Sequence, residues 1–296
     1  MATANVATLR PEEVTTDAAG APVWGATALH FAKCWAEKYD IVAVQEHRIQ
    51  WEGVAELGPY SIAMSAANHR GTLGCAILWK ADQWNLQMHE NAGPRAAMVV
   101  LRKRQRAVAV ISLHLPTQQA DEAELDSALK AASVLRAKVR RMKHVFFMGD
   151  MNREVIKFWG KEDECGTPLH VAEVIRWGIA HDAAPIDILG EQGTWTHPGT
   201  GLRRNIDMLW KPLTVQCSED KAWVDVRAPS HGTAMEDHRP VACCVLLEDA
   251  ERGTVPGDVT GLRVVDKKAL EDEGLLKACG RDITRTVAAE RAVPVG

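Results

Sequence analysis

Apolar runs along this chain end repeatedly in a residue fit for chemistry. Ile41-Val42-Ala43-Val44 meets Gln45-Glu46, residues 107–115 carry His114 near their tip, and Val145-Phe146-Phe147-Met148 stops at Gly149-Asp150. Such short β-rich runs predict buried strands, each delivering one reactive group to a sheet edge. Residues 75–79, opened by Gly71-Thr72-Leu73-Gly74, predict another strand, as do 206–210 and 241–247. The last two lie beside the clusters Asn205-Ile206-Asp207 and Asp237-His238. Pro116 ends the 107–115 ladder because proline offers no amide proton. A helical period joins Trp24, Ala28, Phe31 and Trp35. Residues 121–143 predict a longer helix with Leu125, Leu129, Ala132, Leu135 and Val139 as its apolar stripe. Asp121, Glu122 and Glu124 near its start, and Arg136, Lys138, Arg140, Arg141 and Lys143 near its end, match the helix dipole. Helices and strands interleave, which predicts an α/β fold with a mixed sheet.

Composition narrows what those tips can do. The 296 residues, 46% hydrophobic, suffice for a large core. Past Leu247 the chain turns charged, then reaches Pro256-Gly257 and an amphipathic stretch over 267–290. The expected organisation is a domain over 1–247 and a partly helical extension or linker over 248–296. A net charge of −4 excludes binding by bulk positive charge, so any polyanion contact is local. The run Arg102-Lys103-Arg104-Gln105-Arg106 reads as a solvated loop, and Arg203-Arg204, close to Asp207, as the stronger candidate for phosphate contact. Trp195 offers a stacking face, although with 10 tryptophans most must be core. Seven cysteines without C-x-x-C spacing support neither a zinc ribbon nor a disulfide framework and fit a reducing compartment. With no leader-like start and no membrane-length apolar window, the expectation is a soluble intracellular protein.

Each cluster alone has a bland explanation. Glu46 could mark a strand reaching the surface, Gly149 a structural turn, and Asp237-His238 a solvated loop. Glu46 following four apolar residues nevertheless requires a cation, a hydrogen-bond partner or water. Together the groups make a hard, oxygen-rich set with an imidazole, which suits Mg²⁺, or alternatively Mn²⁺, over zinc. Such ions complete their shells with water and substrate phosphate, which points to phosphoryl chemistry.

The ordered set Asn5-Val6, Gln45-Glu46, residues 71–78, His114, Gly149-Asp150-Met151-Asn152, Asn205-Ile206-Asp207 and Asp237-His238-Arg239-Pro240-Val241 resembles the endonuclease/exonuclease/phosphatase family over residues 1–247. The resemblance implies a four-layer α/β sandwich, two mixed sheets flanked by helices, and divalent-metal hydrolysis of phosphoesters. It implies Glu46, Asn5 and Asp237 at the metal, and Asp150 and Asn152 orienting water and phosphate. His238 would be general base or phosphate-stabilising imidazole with Asp207 fixing its tautomer, and His114 a phosphate contact. Arg203 and Arg204 join Asn152 and His114 as expected substrate contacts. Ala7 stands where apurinic-site repair members carry an acidic residue, which disfavours base-excision repair. Only residues 1–4 precede Asn5, so Asn5 is expected to be less firmly held. The opening Asn-Val-Ala-Thr-Leu-Arg at 5–10, Gln45-Glu46-His47-Arg48 and 195–207 are similar to endonuclease domains of LINE-type retrotransposons. That implies a DNA partner, a nuclear setting and a reverse transcriptase domain outside this chain. The leading expectation is a DNA endonuclease leaving a 3′-hydroxyl. The alternatives are a phosphatase acting on an inositol phosphate or lipid headgroup, and a decayed, non-catalytic binding module.

Overall fold

The computed structural model describes residues 1–160, 166–190, 193–215, 221–229, 237–245 and 247. The expected extension over 248–296 lies outside them. Residues 1–157 and 168–249 belong to one compact unit, and 158–167 with 250–296 to another whose described residues beyond Phe158 are turn and coil.

Two mixed sheets build the larger unit. The eight-stranded sheet runs Asp187–Leu189, Lys221–Val224, Val241–Ala242, Ala2–Asn5, Ile41–Gln45, Cys75–Lys80, Tyr60–Met64, Gly53–Leu57. The six-stranded sheet runs Ala183–Pro185, Asp207–Pro212, Val145–Asp150, Arg106–His114, Ala96–Lys103, Asn85–Asn91. Side chains alternate faces along each strand, so one sequence supplies two cores. Ile41, Ala43, Ile77 and Trp79 join Val99, Leu101, Val108, Val110, Phe146 and Met148 between the sheets. Val42, Val44, Ala76 and Leu78 face the other way and pack with Phe31 and Trp35 of helix Ala26–Ala36. On the far side, Gly178 of helix Leu169–Ala180 lies so close to the Trp210 ring that a Cβ would fall 2.2 Å from it. Trp177 meets Phe147 edge-on. Helix, sheet, sheet and helix therefore stack as the expected four-layer sandwich.

Several elements depart from expectation. The helix expected over 121–143 is Glu122–Lys138, capped by Asp121, which accepts from the Glu124 amide at 2.8 Å. Arg140, Arg141 and Lys143 therefore follow the helix and do not line its last turn. Of the strand expected over 241–247, Val241–Ala242 forms the regular ladder, with Ala242 opposite Ala2, and Cys243 extends it by exchanging backbone hydrogen bonds with Met1 at 2.9 and 2.8 Å. Gly149 is not a turn residue but lies within the strand Val145–Asp150. It pairs with Leu113, whose carbonyl oxygen would stand 1.8 Å from any added Cβ. The turn is made beyond it, where Asn152 has φ 52°.

Candidate active site

Strand register brings the reactive tips level. Asn5 pairs with Gln45 in one sheet, and in the other His114 pairs with Asp150 and Asp150 with Asp207. Face-to-face packing closes these two rows on each other. Asn5 Nδ2 spans the gap, donating to Glu46 Oε1 and to Asp150 Oδ2, both at 3.0 Å. Asn5 is itself well fixed, fully within the core, with Oδ1 accepting from the Ala7 amide at 3.0 Å. One residue behind Glu46, buried Gln45 donates to Ser112 Oγ at 2.9 Å and accepts from Thr3 Oγ1 at 3.1 Å, tying the two sheets together beneath the site.

The second half of the site is an imidazole held by a carboxylate. His238 Nδ1 lies 2.9 Å from Asp207 Oδ2, both buried. A β-bridge to Trp195 and the Arg239 amide donating to Thr194 at 2.7 Å hold the His238 backbone. Ligand atoms of Glu46, His114 and Asp150 lie within 4.8 Å of one another, as do those of Asp150, Asp207 and His238. Asp150 belongs to both groups.

Charge is badly balanced here. Burial and the neighbouring Asp207 carboxylate push Asp150 up to about 7. Burial alone would lower His238, but the charge and hydrogen bond of Asp207, with Asp150 and Asp237 behind, raise it to about 10. Burial pushes Glu46 up as well, and His114, Asn5, His238 and Arg48 outweigh it to leave the carboxyl below its ordinary value. His114 is held down to about 4 by burial, which outweighs the pull of Glu46. Asp207 Oδ1 and His114 Nδ1 are buried without a hydrogen-bond partner among the described residues. A divalent cation fits this donor set: Asp150 holds its proton more tightly than an ordinary carboxyl, and one buried carboxylate oxygen, Asp207 Oδ1, has no hydrogen-bond partner among the described residues.

Solved structures share this architecture. The endonuclease domain of TRAS1, a telomere-specific non-LTR retrotransposon, is 15% identical with a TM-score of 0.55, covering 81% of this chain and 95% of that one. The 3′ phosphatase NExo from Neisseria, bound to a product DNA hairpin, gives 14% and 0.56 over 83% and 98%. The endonuclease/exonuclease/phosphatase from Bacteroides vulgatus gives 13% and 0.54 over 83% and 98%. The chain has the endonuclease/exonuclease/phosphatase fold. No protein-family model matches the sequence, and no curated protein does.

Within that fold the remaining expected residues take different places. Asn152 stands beside the site, its amide donating to Asp150 Oδ1 at 2.7 Å and Nδ2 to the Leu115 carbonyl at 2.8 Å. Asp237 acts on His238 by charge but belongs to neither donor group. Arg203 and Arg204 form a ribbon with Trp195 and Thr196, next to the His238 backbone rather than among the donors. Arg204 Nε sits 3.9 Å from Glu154.

Three cations escaped the sequence reading. Arg48 Nη2 lies 3.4 Å from Glu46 Oε2. Arg95 donates to the His114 carbonyl at 3.3 Å and pairs with Glu124. Arg153, 1% exposed, donates to the carbonyls of Pro116 at 2.7 Å and Met151 at 3.2 Å, fastening the loop that carries Asn152. Arg48 stood in the Gln45-Glu46-His47-Arg48 step and Arg153 directly after Gly149-Asp150-Met151-Asn152, whereas Arg95 adjoins none of the clusters.

Proposed function

We propose that this chain is a divalent-metal-dependent phosphodiester hydrolase that nicks DNA and leaves a 3′-hydroxyl. The observation that carries the reading is the meeting of Asn5, Glu46, His114, Asp150, Asp207 and His238 at one edge of the sandwich. Glu46 and Asp150, with Asn5 and Asp237 in support, would hold Mg²⁺, or Mn²⁺ in its place. When bound, such an ion neutralises phosphate charge and acidifies coordinated water. Asp207 occupies His238 Nδ1, which assigns proton transfer at the phosphate to Nε2. The Asn152 turn and His114 orient the phosphate, and Asn5 keeps the two carboxylates at fixed separation. Arg203 and Arg204 border this edge as contacts for the flanking backbone.

The DNA substrate is supported by the likeness to the TRAS1 endonuclease domain and to a 3′ phosphatase bound to a product DNA hairpin. The retroelement setting rests on the first of these and on the sequence at 5–10 and 45–48. A phosphomonoesterase built from the same residues is the second reading, favoured by the Neisseria 3′ phosphatase.

Supercoiled plasmid separates the readings. The wild-type chain with Mg²⁺ is expected to convert it to an open circle whose nick a DNA polymerase extends. Asp150→Asn and His238→Ala should lower the nicking rate by about a hundredfold or more. Nicking that persists in both variants, or cleavage of a phosphomonoester with intact plasmid, would overturn the endonuclease assignment.

A further inference from the structure

The catalytic cluster does not use the two basic runs, 102–106 and 138–144, although the fold places them side by side. Arg106 pairs with Lys103 across a hairpin, and Ala109 pairs with Val145, so residues 140–144 enter the sheet beside that hairpin. Neither run contains a carboxylate. Both lie at the opposite end of the strand Arg106–His114 from His114. Nine residues of strand separate the two ends, about 26 Å at the usual rise per residue.

Beside the second run lies a groove of about 500 Å³. Met88, Val100, Val139 and Met142 floor it, and Lys138, Arg140 and Arg141 rim it. Val100 faces this groove, whereas Val99 and Leu101 face the inter-sheet core, so alternation turns Arg102 to the groove side as well. Arg102, Arg104, Arg140 and Arg141 are exposed. Two of the other cations are committed locally. Lys103 donates to Gln83 at 2.8 Å and lies over the Trp84 ring, and Lys138 pairs with Glu90 at 2.7 Å. In a protein of net charge −4, four exposed arginines, Arg140 and Arg141 lining an apolar-floored groove and Arg102 and Arg104 on the neighbouring strand and hairpin turn, are a local concentration of charge against the overall balance.

We infer that this groove is a second anchor for a nucleic-acid backbone, separate from the catalytic edge. Guanidinium groups fork onto phosphate oxygens, and the spread of four of them across two elements suits a polymer of phosphates better than one small anion. The contact is sequence-independent, because phosphates carry no base information. A long substrate engages both ends of the sandwich, whereas a duplex of a few base pairs engages only the catalytic one.

The test compares the wild-type chain with the quadruple variant Arg102→Ala, Arg104→Ala, Arg140→Ala, Arg141→Ala. Fluorescence anisotropy of a labelled duplex of about 30 base pairs, in EDTA and over a salt series, reads the contact; four lost phosphate contacts lower the salt slope by about 3.6. Affinity at low salt is expected to fall at least tenfold, with an unchanged thermal midpoint and unchanged nicking of a short duplex. An unaltered affinity and slope, no duplex binding by the wild-type chain, or a preference for phosphatidylserine vesicles over duplex would each overturn the anchor. A chain that binds through these arginines yet nicks nothing keeps the anchor and loses the hydrolase reading. One that nicks while the variant binds like wild type does the reverse.

Discussion

Gly149 shows how the chemistry of single residues sets the site. Its missing side chain lets the strand Val145–Asp150 close against Leu113, and that closeness brings Asp150 level with His114 and Asp207. The substitution Gly149→Ala must push the strands apart, since the contact partner is backbone and cannot swing away. It is expected to cost about 2–3 kcal/mol, read as a lower midpoint in urea with an unchanged slope. A loss under about 0.5 kcal/mol would mean that the strands separate freely. Asn5 carries the complementary constraint, since one amide group donates to carboxylates from both sheets. The expectation that Asn5 is poorly held does not survive: Asn5 is buried at the end of a strand paired on both sides.

At the scale of elements, packing of the outer helices makes stability depend on pH. His181 caps helix Leu169–Ala180, lies 2.9 Å from Ser133 Oγ of helix Glu122–Lys138 and packs against Trp177. Burial, helped by Arg136, lowers its pKa below the ordinary value. A histidine whose folded pKa is depressed stabilises fully above its unfolded pKa of about 6.5, and the contribution is lost as pH falls through the folded value. The substitution His181→Gln is expected to flatten thermal stability between pH 7 and 5 relative to wild type; parallel curves would contradict the account. Elements differ in how plainly the chain announces them. Ile41–Gln45 and Val145–Asp150, buried on both faces, stand out as unbroken apolar runs. Gly53–Leu57 and Asn85–Asn91, each at the edge of its sheet, keep exposed polar positions and blend into loop. Ala96–Lys103 opens with alanine and methionine, which favour helix, and only pairing on both sides makes it a strand. Helix Leu169–Ala180 did carry a helical period at Val171, Val174, Ile175 and Gly178, although a glycine in the last turn weakens it.

Across the whole molecule, the individual groups of the site were legible while their meeting was not. Each tip is a local event at the end of an apolar run. Their convergence depends on register and on which sheet faces meet, linking Asn5 to Asp150 across 145 positions. Only the resemblance carried by the ordered set of tips supplied that arrangement in advance. Local sequence also hides the roles of Arg48, Arg95 and Arg153, even where the residue adjoins a quoted cluster, because each role arises from what folds beside it. The arrangement points one way above others: carboxylates this close, with Asp207 Oδ1 unpartnered and Asp150 raised to about 7, form a donor set that suits a cation. Anomalous diffraction from crystals grown with Mn²⁺ tests that reading directly. The account predicts a peak bonded to Glu46 and Asp150, lost in Glu46→Gln; a map with no peak at the Glu46–Asp150 edge, at a Mn²⁺ concentration that supports nicking, would contradict it.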